Sequence, residues 1–121
     1  MKSRWVHHRS KRIFIADFSN NGIDAAAGRA ECAAIIIELG RELPGSVRSV
    51  TNAEGTFSTV EIMKAFADLL PYSNKYVRQR AVIGVGGFRK YFLDAFSNLT
   101  GHAHFMAFDT LPQALDWLAE D

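Results

Sequence analysis

From Arg12 to Leu118, short runs rich in β-branched and aromatic residues alternate with longer segments of helical periodicity. This alternation is the strongest constraint on the fold. Strand–helix–strand units close through right-handed crossovers, which lay parallel strands side by side and put helices on the faces of the sheet. Arg4 to Arg9 and Arg12 to Phe18, parted by Ser10 and Lys11, predict an opening hairpin with Ile13, Ile15 and Asp17 on one face. Asn20, Asn21 and Gly22 break that pattern, and a helix is expected from there to about Arg41, where Gly40 and Pro44-Gly45 stop it. On this helix Asp24, Glu31, Glu38 and Glu42 project at nearly the same angle, with Ala26, Ala33, Ile36 and Ile37 opposite. The small alanines are therefore expected to let the helix sit close to a sheet.

Val47 to Asn52 predicts the next strand, Ser58 to Leu70 a second helix, and Arg80 to Val85 a buried strand. Phe88 to Leu99 predicts a third helix, with Phe88, Phe92, Ala95 and Leu99 along one face. His104 to Phe108 is expected as the last strand, and Thr110 to Leu118 as a fourth helix carrying Leu111, Ala114, Leu115 and Leu118 inward. The expected architecture is a single α/β domain over residues 1–121: a mostly parallel mixed sheet of about five strands, an N-terminal antiparallel hairpin and four helices.

Composition agrees with one compact core. Of 121 residues, 48% are hydrophobic and 22% charged, and 14 aromatic residues argue against disorder. A net charge of +1 supplies no general attraction to nucleic acid or membranes. The charge is distributed in blocks: residues 1–12 and 72–90 are purely basic, and 91–121 purely acidic. The single cysteine, Cys32, excludes an internal disulfide and fits a reducing compartment. Ala33 to Leu39 is too short to span a bilayer, and the basic first twelve residues lack the apolar core of a signal peptide. A cytoplasmic location without membrane insertion is the expectation.

Four stretches carry a family resemblance: WVHHRSKRIFIADFSN (Trp5 to Asn20), TNAEGTFST (Thr51 to Thr59), KYVRQRAVIGVGGFRK (Lys75 to Lys90) and FDTLPQALDWL (Phe108 to Leu118). Together they resemble the small bacterial SpoIIAA-like proteins of the STAS-like group, which is also compared with lipid-binding Sec14 domains. The most specific piece is Tyr76 to Lys90, an aromatic-Val-basic start followed by Ala-Val-Ile-Gly-Val-x-Gly and a lysine-bearing helix. The resemblance implies a sheet wrapped by helices and a non-catalytic role. Anti-sigma factor antagonists of this group carry a phosphorylated Asp-Ser-Ser-Gly type motif, which Asn52 to Thr59 does not reproduce.

Several constellations carry candidate chemistry. Asn52, Glu54, Gly55, Thr56, Ser58 and Thr59 leave a strand and enter a helix at the carboxyl edge of the sheet, where α/β folds place binding sites. They are the expected partner-recognition site. Ser58 with Glu61 forms a capping-box pattern, and Ser58, Thr56 and Thr59 are acceptors for regulatory phosphorylation by position. Gly86 and Gly87, with Arg89 and Lys90 in the following helical turn, form a candidate anion site, although no Lys-Ser or Lys-Thr pair makes it a P-loop. His102 and His104 have the spacing of a metal-ligand pair, but a third ligand is missing and no metal is expected; adjacent His7 and His8 point to opposite faces. Cys32 sits mid-helix beside Glu31, a poor setting for a nucleophile. Asp17 and Asp109 both fall at strand ends without an identifiable nucleophile, so no catalytic residue is assigned and no cofactor is expected.

Lys75, Arg78, Arg80, Arg89 and Lys90, interleaved with Tyr72 and Tyr76, read as a solvated rim rather than a nucleic-acid surface. Aromatic side chains from Phe88 to Phe108 are expected mainly in the core, with a ligand cavity or dimer contact as rivals. The leading expectation is a non-enzymatic regulatory or protein-interaction module with a protein partner. A carrier or sensor of a small apolar or lipid-like ligand comes second, and an enzyme third. A homodimer is expected because the first helix is apolar over more than half its circumference.

Overall fold

The computed structural model describes residues 1–57, 59–84 and 105–120. In chain order the elements are β1 (Arg4–His8), β2 (Lys11–Asp17), α1 (Ala25–Leu39), β3 (Val47–Asn52), α2 (Val60–Tyr76), β4 (Val77–Ile83), β5 (Phe105–Phe108) and α3 (Leu111–Leu118). The five strands form one sheet in the order β1-β2-β3-β4-β5. Only β1 is antiparallel; β2, β3, β4 and β5 pair in parallel. The hairpin closes between His8 and Lys11, with Arg9 and Ser10 both at positive φ, the backbone that matches the twist of its strands. The expected α/β architecture with a mixed sheet is thus present, with three helices among the described residues. The expected helix from Phe88 to Leu99 lies outside the described residues.

Period-two alternation along β2 explains the two-sided core. Ile13 and Ile15 face one side, where they meet Val50, Ala81, Ile83 and the buried Ala114 and Leu118 of α3. Phe14, Ala16 and Phe18 face the other, where Cys32, Ile35 and Leu39 of α1 and Ile62, Phe66 and Leu69 of α2 cover them. Phe18 and Phe66 meet edge to face at 4.6 Å.

Three expectations are corrected. The first concerns the orientation of α1: the buried residues are Gly28, Glu31, Cys32, Ile35 and Leu39, while Ala26, Ala33 and Ile37 are exposed. Glu31 and Glu38 turn inward because β1 and the two residues ahead of it offer them donors. Glu31 accepts from the backbone amides of Lys2 (3.1 Å) and Ser3 (3.0 Å), and Glu38 accepts from the Trp5 indole (3.0 Å). The second concerns α2, which runs through Pro71 to Tyr76 instead of ending at Leu70. Pro71 is exposed while Ser73 beyond it is buried, so packing of the last turn outweighs the hydrogen bond that proline forfeits. As a result β4 starts at Val77, directly after the helix, and not at Arg80.

The third correction is Arg80, which is no rim residue. It is 7% exposed and reaches Ser73 Oγ at 2.6 Å and Asn74 Oδ1 at 3.0 Å in the last turn of α2. A cation there complements the carbonyl end of the helix, although burial pushes its pKa down to about 10. No helix among the described residues is long and apolar enough to cross a membrane.

Candidate functional site

The carboxyl ends of β2, β3 and β4 converge on one edge because the three strands are parallel and in register. Their ladder continues beyond the strands: the Phe18 amide donates to the Asn52 carbonyl (2.8 Å) and the Ala53 amide to the Ile83 carbonyl (3.0 Å). The loop after β2 and the loop after β3 are then joined along their length. Asn20 donates to the Glu54 carbonyl (2.7 Å), Gly22 to the Gly55 carbonyl (3.0 Å), and Phe57 back to the Gly22 carbonyl (2.9 Å). The Thr56 hydroxyl ties the pair from inside, accepting from the Asn21 amide at 3.1 Å and donating to the Phe18 carbonyl. Asn52 Oδ1 accepts from the Glu54 amide (3.0 Å) and fixes the turn.

Two glycines make this closeness possible. Gly55 has φ +74°, and a Cβ there would lie 2.6 Å from Asn20 Oδ1. Gly84, at the end of β4, has φ +79°, and a Cβ there would lie 2.3 Å from the Glu54 amide nitrogen. Both positions combine a left-handed backbone with no room for a side chain.

The joined loops hold an uneven surface. Glu54 and Glu61 are exposed, and between them stand Phe57, 58% exposed, and Val60, 79% exposed. The cap of α2 is Thr59, whose side chain accepts from the Ile62 amide at 3.2 Å. The expected capping by Ser58 with Glu61 is therefore shifted by one residue; Ser58 itself lies outside the described residues. Of the expected site residues, Asn52, Glu54, Gly55, Thr56 and Thr59 come together at this edge, with the Thr56 and Thr59 hydroxyls engaged in internal hydrogen bonds. Phe57 and Val60 were not singled out by the sequence, though an apolar pair flanking a helix cap is a legible signal.

Gly86, Gly87, Arg89 and Lys90, together with His102 and His104, lie outside the described residues. Asp17 ends β2 and Asp109 follows β5, three strand spacings apart or about 14 Å, too far to share a reacting atom. Partial burial works to raise the Asp17 carboxyl, but the Ser19 hydroxyl and amide and the charges of Lys2 and Arg4 outweigh it and hold the group below the usual carboxylate range. The Cys32 thiol is pushed up to about 11 by burial, which leaves it protonated at neutral pH. His7 is exposed while His8 turns inward to Asp116 of α3 at 2.7 Å, so the two histidines do take opposite faces. No group of His, Cys, Asp and Glu among the described residues could hold a metal ion.

Between the sheet and the α1–α2 layer lies a cavity of about 30 Å³, lined by residues that include Phe14, Phe18, Leu69, Ser73 and Arg80. That volume admits about two water molecules. Comparisons of the chain with protein-family models, with curated proteins and with solved structures find no match in any of the three, so the SpoIIAA-like resemblance rests on the sequence motifs alone.

Proposed function

We propose that this protein is a non-enzymatic regulatory module that presents the edge formed by Glu54, Phe57, Val60 and Glu61 to a protein partner. The observation that carries this reading is the pairing of exposure with rigidity. Phe57 and Val60 are displayed to solvent, while the backbone beneath them is held by the hydrogen bonds from Asn20, Gly22 and Phe57. Pre-ordered apolar side chains lose little conformational entropy on binding, so an anchor of this kind contributes most of what it buries. The two glutamates beside it favour a partner with basic residues around an apolar pocket. The SpoIIAA-like resemblance supports a role of this class, and a position next to the α2 cap would let phosphorylation alter partner choice without unfolding the domain. Carriage of an apolar ligand comes second, because the cavity beneath α1 and α2 is smaller than a lipid chain requires.

The test compares proteins captured from cell lysate by the wild type with those captured by Phe57→Ser, Val60→Asp and Glu54→Lys. All three positions are exposed, so circular dichroism should be unchanged. Loss of the same captured set in the three variants is expected. An unchanged set with the fold intact overturns the assignment of this edge, and a lipid found by native mass spectrometry of the purified protein would favour the carrier instead.

A further inference from the structure

The cavity between the sheet and the α1–α2 layer is mostly apolar, but one stretch of its wall is polar and lies on β3 and β4, at the middle of the sheet. Ser49 and Thr51 line it from β3, two residues apart and so on one face of the strand. Arg80 of β4 stands directly opposite Ser49 in the strand register. Ser49 is 5% exposed and Arg80 7%. Helix α2 fixes the guanidinium: Nη2 donates to Ser73 Oγ and Nη1 to Asn74 Oδ1, and the Ser73 hydroxyl donates in turn to the Leu70 carbonyl at 3.3 Å. Every fully enclosed polar side-chain atom among the described residues has a hydrogen-bond partner. The Ser49 and Thr51 hydroxyls have none among the described residues, so they stand open on the cavity.

We propose that this wall is a binding site for a small monovalent anion, of the size and charge of chloride, held by the Ser49 and Thr51 hydroxyls beside the Arg80 guanidinium. The residues lining the cavity include no aspartate, glutamate, histidine, asparagine or glutamine. Its polar side chains therefore present O–H and N–H donors next to a positive charge. An anion takes donors only. A water molecule in the same place must also donate, and the wall offers it no carboxylate or amide side-chain oxygen.

Size selects the ion. The volume of about 30 Å³ is the space of about two water molecules, which a monatomic ion fits and a tetrahedral oxyanion or a carboxylate with an alkyl tail does not. Apolar side chains such as Phe14, Leu69 and Val82 make up the rest of the wall, so the attraction between ion and guanidinium is screened far less than at the surface. A guanidinium is also weakly hydrated, which lowers the cost of exchanging water for a halide. Burial pushes the Arg80 pKa down to about 10, and an anion beside it acts in the opposite direction. The donors come from β3 and β4, and the cation among them is set by the last turn of α2. Only the folded chain brings these together, so the ion stabilises the fold by mass action. The site is separate from the edge at Phe57 and Val60 and does not depend on the function proposed for it.

Thermal unfolding of the full chain in sodium chloride and in sodium gluconate at equal ionic strength tests the proposal, because gluconate is too large to enter the cavity. Wild type is expected to melt several degrees higher in chloride, with a gap that widens as the salt concentration rises. Ser49→Ala removes a donor and leaves the surrounding packing in place, and it is expected to lose most of that gap. Equal melting of wild type in the two salts, or a gap that Ser49→Ala leaves intact, overturns the site. Crystals of the wild type grown in sodium bromide locate the ion without relying on the stability of a variant. Anomalous scattering from bromide is expected in the cavity beside Ser49 and Arg80. Ordered water alone in the cavity, or bromide found only elsewhere, overturns the proposal.

Discussion

Glu31 shows how a single side chain can decide the orientation of a helix. It is 8% exposed, and its two oxygens accept from the backbone amides of Lys2 and Ser3, so the carboxylate finds within the protein the donors that water would otherwise supply. Burial acts to raise its pKa, but the Ser3 side chain and the two amides act more strongly in the other direction and hold it below the ordinary value of 4.5. A carboxyl group with a lowered folded-state pKa contributes stability that is present above the unfolded value and lost as pH falls through the folded one. Glu31→Gln is therefore expected to cost about 1–3 kcal/mol at neutral pH by removing charge from a buried acceptor. The same substitution should flatten the loss of stability that wild type shows below pH 4.5. Part of the acid sensitivity remains in the variant, because Asp17 is shifted in the same direction. Urea unfolding from neutral pH to about pH 3 measures both effects, and identical pH profiles for wild type and variant would refute the coupling.

At the scale of elements, α2 is governed by its ends. Its N-terminus is capped by Thr59, and its C-terminus passes straight into β4, with the Val77 amide donating to the Ser73 carbonyl and Arg80 holding Ser73 and Asn74. Pro71 lies within the helix without ending it, because Leu69, Leu70 and Ser73 around it are all buried. The cap is the end beside the proposed recognition edge, since Phe57 and Val60 flank it. Thr59→Ala is expected to cost about 1 kcal/mol, whereas Thr59→Ser retains the acceptor and costs less. Thermal unfolding of the two variants separates them. Equal losses would mean that the hydroxyl is not the cap.

Over the whole molecule, the sheet is the element shared by both halves of the core. Phe14 belongs to the layer under α1 and α2, while its neighbours Ile13 and Ile15 belong to the layer under α3. A perturbation on either face therefore reaches the other through β2, and unfolding is expected as one cooperative transition. The two tryptophans report on opposite faces: Trp5 meets Phe14 edge to face at 4.9 Å, and Trp117 lies 5.6 Å from Phe108. Single-tryptophan variants Trp5→Phe and Trp117→Phe should each show fluorescence and circular dichroism transitions with one shared midpoint. Transitions at separate midpoints within either variant would divide the chain into two units.

Local patterning alone placed the opening hairpin, β3 at Val47–Asn52 and the inward residues Ala114 and Leu118 of α3, because alternation, β-branching and helical period are properties of neighbouring residues. It also placed the stretch that leaves β3 at the carboxyl edge of the sheet, since a strand-to-helix turn there can be read from element order. The orientation of α1 could not be read in that way. The period of α1 separates a carboxylate face from an alanine face, but the choice of the face to bury fell to the amides of Lys2 and Ser3 and the indole of Trp5, which are distant in sequence. The same holds for Pro71, whose local preference to end a helix was outweighed by the burial of Ser73 and its bond to Arg80. Sequence singled out Gly55 among the expected recognition residues, but only the folded chain brings Asn20 against Gly55 and Glu54 against Gly84. Local preferences are decided by the nearest few side chains, whereas which face is buried and which loops meet depend on partners that only the closed sheet brings within reach.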